Sequence, residues 1–390
     1  AVRRRGGGVG RTCDARGQAC ASASGRGATQ LSLAAGVNSN IEITVERPLR
    51  VSSRIWLTQP SSRPVSCHAE AGICTLFAAG PAPKTVCTVT INSSDEKDAF
   101  QRHLPSDEYR FVELVQRGQR DWLASACRRR VTCDALIISG HFDDGTEFYT
   151  DRHDDREFLT VHEMQHASCS ASCNGLFAQL KEVYLFGCKT LHSAPRNVAS
   201  AEVARSLVRS GHSQADAERV STLLSEHYGE SNRDRLRHVF KDVPVLYGFS
   251  SKAPLGRSAG RLLERYFQSA PAGEVASGRA SPTLLSLFGP SSMIASAGLD
   301  DADPQLALRR DMCEFADERP SDAQKLAFMH QVLQRDVTEV RMFLDHLERY
   351  AGSIGPVQRL MPEVAAALDA IKGDHGTRAR FLEFARDADE

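Results

Sequence analysis

The chain has 390 residues, of which 41% are hydrophobic and 25% charged, with a net charge of −1. This length exceeds what one hydrophobic core usually supports, so two or three domains are expected. The charge balance removes any global attraction to nucleic acid, and no apolar run approaches the ~18 residues of a membrane span.

Residues 1–38 are rich in Gly, Arg, Ser and Ala without periodicity and read as a disordered lead-in. The opening at Ala1, with Arg3, Arg4 and Arg5 and no apolar core of a secretory signal, fits a chain that begins after processing or is a fragment. Residues 39–95 carry short β-type runs, Ile41 to Val45, Arg54 to Thr58, Cys74 to Ala78 and Val86 to Ile91, and read as a small β domain. Eleven cysteines suggest five disulfides and one free thiol in an extracytoplasmic protein, periplasmic or secreted.

From residue 100 to 268 strands alternate with helical stretches, as expected of a mostly parallel sheet flanked by helices. Tyr109 to Leu114 is a strand, Arg120 to Arg129 a helix, and Cys133 to Ser139 a nearly continuous apolar run typical of a buried parallel strand. His141 follows it. Helices over Leu159 to Ser168 and Gly175 to Leu180 lead to a strand at Glu182 to Phe186, with Gly187 and Cys188 just past its end. Helices at Ser200 to Ser210 and Gln214 to Tyr228 precede a last strand, Val243 to Phe249, and Ala270 to Ser281 reads as a linker. Residues 282–390 show only helical patterning and form an all-α domain, a candidate for binding another protein.

Ligands in open α/β sheets bind beyond the carboxyl ends of the strands, where His141 and Cys188 both fall. A cysteine works as a nucleophile in its thiolate form, which a neighbouring imidazole promotes. The pair is 47 residues apart (188 minus 141). The Phe142 and Cys188 amides are candidate oxyanion donors, with Gly187 giving a substrate carbonyl close access to the backbone.

The segments Ile137-Ile138-Ser139-Gly140-His141-Phe142 and Glu182-Val183-Tyr184-Leu185-Phe186-Gly187-Cys188 resemble the two catalytic-strand signatures of caspase-like cysteine peptidases, with the histidine about 50 residues upstream of the cysteine. The resemblance spans Tyr109 to Gly256. It implies His141 as general base, Cys188 as nucleophile, and hydrolysis of a peptide bond in a protein or peptide substrate through a thioester, with no cofactor. It also implies that Ser250, Ser251 and Lys252, after the last strand, border the specificity pocket. Lys252, Arg257 and Arg261 nearby favour an acidic substrate side chain. The family usually has Gly directly after the histidine, where this chain has Phe142, and the caspase pentapeptide around the cysteine is absent. The expected relative is therefore a distant, bacterial-type one, either active or a binding scaffold on the same fold.

A rival motif is His162-Glu163-Met164-Gln165-His166, a literal H-E-x-x-H that on a helix binds zinc through two imidazoles with the glutamate as base. The longer pattern fails at Cys169 and Ser172, and Glu182 is the nearest downstream glutamate, at the far end of its strand. Phe158, Val161 and Met164 make one apolar stripe, which turns the two histidines toward water. Three further features read as ordinary surface or local structure. They are the loop holding Asp151, His153, Asp154 and Asp155, the Cys169/Cys173 pair, and the basic stretch from Ser231 to His238.

Overall fold

The computed structural model describes residues 82–119, 121–142, 145–151, 157–195, 208, 211, 213–220, 230–269, 272–377 and 379–380, together with the backbone of seven strands within residues 11–76. The chain divides into two units, Ala1–Ala82 and Pro83–Glu390.

In the first unit, β1 (Arg11–Cys13), β2 (Ala19–Ser24), β3 (Ala28–Leu33) and β5 (Trp56–Leu57) form one sheet in the order β1-β2-β3-β5. β4 (Glu42–Thr44), β7 (Ile73–Leu76) and β6 (Val65–His68) form another in the order β4-β7-β6. Three of these strands lie within the stretch expected as a disordered lead-in. The register sets Cys13 opposite Cys20 and Cys67 opposite Cys74; the side chains of these four lie outside the described residues.

The second unit is an α/β fold. Its six-stranded sheet has the order β15-β14-β13-β10-β8-β9, from β8 (Lys84–Thr90), β9 (Tyr109–Glu113), β10 (Ala135–Ser139), β13 (Glu182–Phe186), β14 (Val245–Phe249) and β15 (Met293–Ser296). Only β15 runs antiparallel. The strand read as the end of a β domain, Val86 to Ile91, thus forms but pairs with β9 and β10 inside this sheet. Its alternation of Thr85, Thr88 and Thr90 with apolar residues imitated a half-exposed strand, whereas all of Thr85 to Val89 is buried.

Side-chain alternation divides the core into two layers. Cys87, Val89, Leu136, Ile138, Val183, Leu185 and Leu246 meet α2 (Trp122–Arg128), α3 (Val161–Cys169) and α4 (Asn232–Val239) on one face. On the other, Val86, Ile137, Tyr184, Phe186, Tyr247 and Phe249 meet α1 (Asp95–His103), α5 (Gly256–Ser269) and α6 (Pro282–Phe288). With both faces covered, the inner strands must be apolar throughout, as β10, β13 and β14 are.

Helix α3 begins later than the apolar stripe suggested. Phe158 to Thr160 instead forms β12, paired antiparallel with β11 (Glu147–Tyr149). Thr160 caps the helix, its hydroxyl accepting from the Glu163 amide at 3.0 Å. The helix expected over Gly175 to Leu180 is a set of turns after a short 3₁₀ segment, Ala171–Cys173. Residues 214–220 are helical, and most of the expected Ser200 to Ser210 helix lies outside the described residues.

The expected linker from Ala270 to Ser281 is held in place. Glu182, fully buried, accepts hydrogen bonds from the amides of Ala276, Ser277 and Gly278 at 2.9–3.0 Å, and from the Ser277 and Tyr184 hydroxyls. A helix and a strand, α6 and β15, then complete the sheet before the C-terminal helices α7 (Leu306–Ala316), α8 (Asp322–Leu333), α9 (Val337–Ser353), α10 (Pro356–Arg359) and α11 (Pro362–Gly373). These helices bury their own cluster around Leu326, Val332, Val340 and Phe343.

Three disulfides form among the described residues: Cys87–Cys133, Cys127–Cys173 and Cys169–Cys313. Cys169 and Cys173 therefore belong to different bridges, and Cys169 fastens α3 to α7. The basic stretch before β14 is not a solvated face, since Arg235 and His238 are each 2% exposed and Arg235 donates to the Gly145 carbonyl at 2.9 Å. Among the described residues, no helix is long and apolar enough to cross a membrane.

Candidate functional site

Strands β10 and β13 are adjacent and parallel, and Ser139 pairs with Phe186. That register offset is 47 residues (186 minus 139), the same as the offset between His141 and Cys188. Each residue thus stands two positions beyond its strand, at register-equivalent places on neighbouring strand ends. The Gly140 amide still donates to the Phe186 carbonyl at 3.1 Å, so the two segments stay paired up to the residue before His141.

Gly187 is required by this closeness. A Cβ there would stand 2.8 Å from the Phe142 Cβ, 2.9 Å from the Gly140 carbonyl oxygen and 3.1 Å from the Phe148 ring. Phe142, fully buried, packs its ring 4.5 Å from that of Phe148. Phe142 is therefore a core residue, and the turn is accommodated by Gly140 before it and Gly187 across from it. Among the described residues, the Cys188 amide meets no protein acceptor.

Cys188 is half-buried and is the free cysteine among the described residues. Its Sγ accepts from the Ala253 amide at 3.4 Å. The segment that follows it is tied to the end of β14. Lys189 N–H donates to the Ser251 carbonyl at 2.6 Å, Leu191 N–H to that of Phe249 at 3.0 Å, and His192 Nδ1 lies 2.8 Å from the Ser250 carbonyl. Gly248 allows this, because a Cβ there would meet the Thr190 hydroxyl at 2.6 Å. Ser250, Ser251 and Lys252 are consequently beside Cys188, with Ser251 and Lys252 exposed.

His141 is oriented by residues that the sequence did not single out for it. Its backbone pairs with Tyr149 in both directions, at 2.9 and 3.0 Å. Its Nε2 lies 3.1 Å from the Asn92 side-chain nitrogen and 3.6 Å from the Asp151 carboxylate. The Thr150 hydroxyl donates to the Asn92 oxygen at 3.2 Å, which turns the Asn92 amide nitrogen toward the ring. The Asn92 amide nitrogen is placed to donate to Nε2, and the Asp151 carboxylate stands within ion-pair range of the same nitrogen. Among the described residues, Sγ and imidazole are not hydrogen-bonded to each other.

The H-E-x-x-H helix is built differently. Glu163 accepts from the Leu123 amide at 3.4 Å and is pushed up to about 7 by burial. His166 pairs with Glu318 at 3.5 Å, and His162 is exposed. Among the described residues, no group of three or more His, Cys, Asp or Glu side chains could hold a metal ion. Glu182 is spent on the 276–278 amides, while His153, Asp154 and Asp155 lie outside the described residues.

No protein-family model matches this chain and no curated protein matches it in sequence.

Proposed function

We propose that the chain is a caspase-like cysteine peptidase of a distant type, hydrolysing peptide bonds with Cys188 as nucleophile and His141 as acid and base. The observation that carries this reading is that register offset and sequence offset coincide, which sets His141 and Cys188 abreast on adjoining parallel strand ends. A second support is selective: six described cysteines are oxidised and Cys188, at the strand end, is not. The disulfides also suit an extracytoplasmic location.

In this mechanism the Cys188 thiolate attacks the scissile carbonyl carbon. A C–S bond forms, and the carbonyl electron pair moves to oxygen, which the Cys188 amide stabilises. The His141 imidazolium, paired through Nε2 with Asp151, then gives a proton to the departing nitrogen as the C–N bond breaks. Water attacks the resulting thioester, His141 takes its proton, and the C–S bond breaks to restore the thiolate. Ser250, Ser251 and Lys252 border the substrate side chain before the cleaved bond.

The test is digestion of a proteome-derived peptide library, read by mass spectrometry, with wild-type, Cys188→Ala, His141→Ala and chelator-treated protein. Cleavage that persists in chelator and disappears in both variants is expected. Cleavage that survives Cys188→Ala and stops with chelator would overturn the proposal in favour of the His162/Glu163/His166 zinc chemistry.

A further inference from the structure

Beyond His141, on the side away from Cys188, a cavity of about 220 Å³ opens over the carboxyl ends of β8 and β9, lined in part by Thr90, Asn92, Lys97, Glu113 and Arg117. The sheet order β13-β10-β8-β9 fixes the sequence of groups across the site as thiol, imidazole, cavity. Asn92 is shared, since it lines the cavity and holds His141 Nε2 at 3.1 Å. A peptide whose carbonyl carbon bonds to Sγ and whose leaving nitrogen takes a proton from His141 must continue on the imidazole side, over this cavity.

The lining has a definite donor and acceptor balance. Glu113 accepts from the Thr88 hydroxyl at 3.0 Å, the Thr90 amide at 3.1 Å, the Thr90 hydroxyl at 2.9 Å, Lys97 at 3.0 Å and the Val115 amide at 3.3 Å. A carboxylate offers about four lone-pair sites, so its accepting capacity is used up. Lys97, by contrast, gives one of three N–H groups to Glu113, and Arg117 gives one of five to Glu157 at 3.1 Å, among the described residues. The cavity therefore has spare cationic donors and no spare carboxylate acceptor.

Resting on the peptidase reading for its role, we infer that this cavity is the leaving-group subsite and that it selects an acidic side chain, aspartate or glutamate, directly after the cleaved bond. Lys97 and Arg117 are the specificity-determining residues. This is separate from Lys252, which borders the opposite side of the scissile bond.

The binding test needs no turnover, so its failure is distinguishable from failure of the peptidase reading. The dipeptide amides Asp-Ala-NH2 and Asn-Ala-NH2, which represent the leaving fragment, are titrated by NMR into the 390-residue chain carrying Cys188→Ala and into the same protein carrying Lys97→Gln or Arg117→Gln. Arg117 is largely exposed, so its variant leaves the fold intact even if Lys97→Gln disturbs Glu113. The aspartyl peptide is expected to bind about tenfold more tightly than the asparaginyl one, the scale of one charge-assisted contact, with the ratio falling toward one in both variants. Equal binding of the two peptides, no binding of either up to about 10 mM, or a ratio unchanged in Arg117→Gln overturns the inference.

Discussion

Glu96 sits in the first turn of α1 and is 3% exposed. Burial, assisted by the nearby charges of Asp95 and Asp98, pushes its carboxyl up from 4.5 to about 7. Replacing it by glutamine keeps the shape and removes the titration. Between 4.5 and about 7 the folded protein holds a proton that the unfolded chain has released, so this group's contribution is complete below 4.5 and is lost as pH rises through 7. The difference corresponds to about 3 kcal/mol. Urea unfolding of wild type and Glu96→Gln from pH 4.5 to 8.5, without reductant, isolates this term, because titrations common to both proteins cancel. The variant is expected to gain about 3 kcal/mol on wild type across this range, with most of the gain accumulating by pH 7. A stability difference that is flat with pH, or a gain appearing toward acid, would refute the burial argument.

Three other substitutions probe what holds the site and its frame. Gly187→Ala forces a methyl against Phe142 and the Gly140 carbonyl, and should cost about 1–3 kcal/mol in urea unfolding while slowing thiol labelling at Cys188. Glu182→Gln keeps the volume but removes the charge that three backbone amides converge on, and should cost about 2–3 kcal/mol, with faster amide exchange at residues 276–278. Replacing Cys169 and Cys313 together by serine opens a bridge across 144 residues and should cost about 3–5 kcal/mol, with earlier proteolysis of the helices after Leu306.

The strands that carry the site were the most legible part of the sequence. β10 and β13 are continuous apolar runs because both faces of the sheet are covered, and that pattern fixes their ends within a residue or two. Strand β8 was legible as a strand but not as a member of this sheet, because its threonines satisfy Glu113 and neighbours far along the chain. β15, four residues flanked by Ser and Gly, gives too little periodicity to read. The 270–281 stretch looked like a linker because its anchor, Glu182, is more than 90 residues away. Asn92 and Thr150 reach His141 only through tertiary packing, and no local spacing marks them. One missed signal was local: Thr160 followed by Glu163 three residues later is a helix-start pattern, and it places the start of α3 correctly.

The proposed peptidase depends on a Cys188 thiol activated by His141. Wild-type, His141→Ala and Asn92→Ala proteins are treated with limiting iodoacetamide near neutral pH without reductant, and the labelled site and its rate are read by mass spectrometry. Labelling confined to Cys188, falling about tenfold or more without His141 and less without Asn92, is the expected result. A Cys188 rate unchanged by His141→Ala and no faster than that of a free cysteine in a peptide would contradict it.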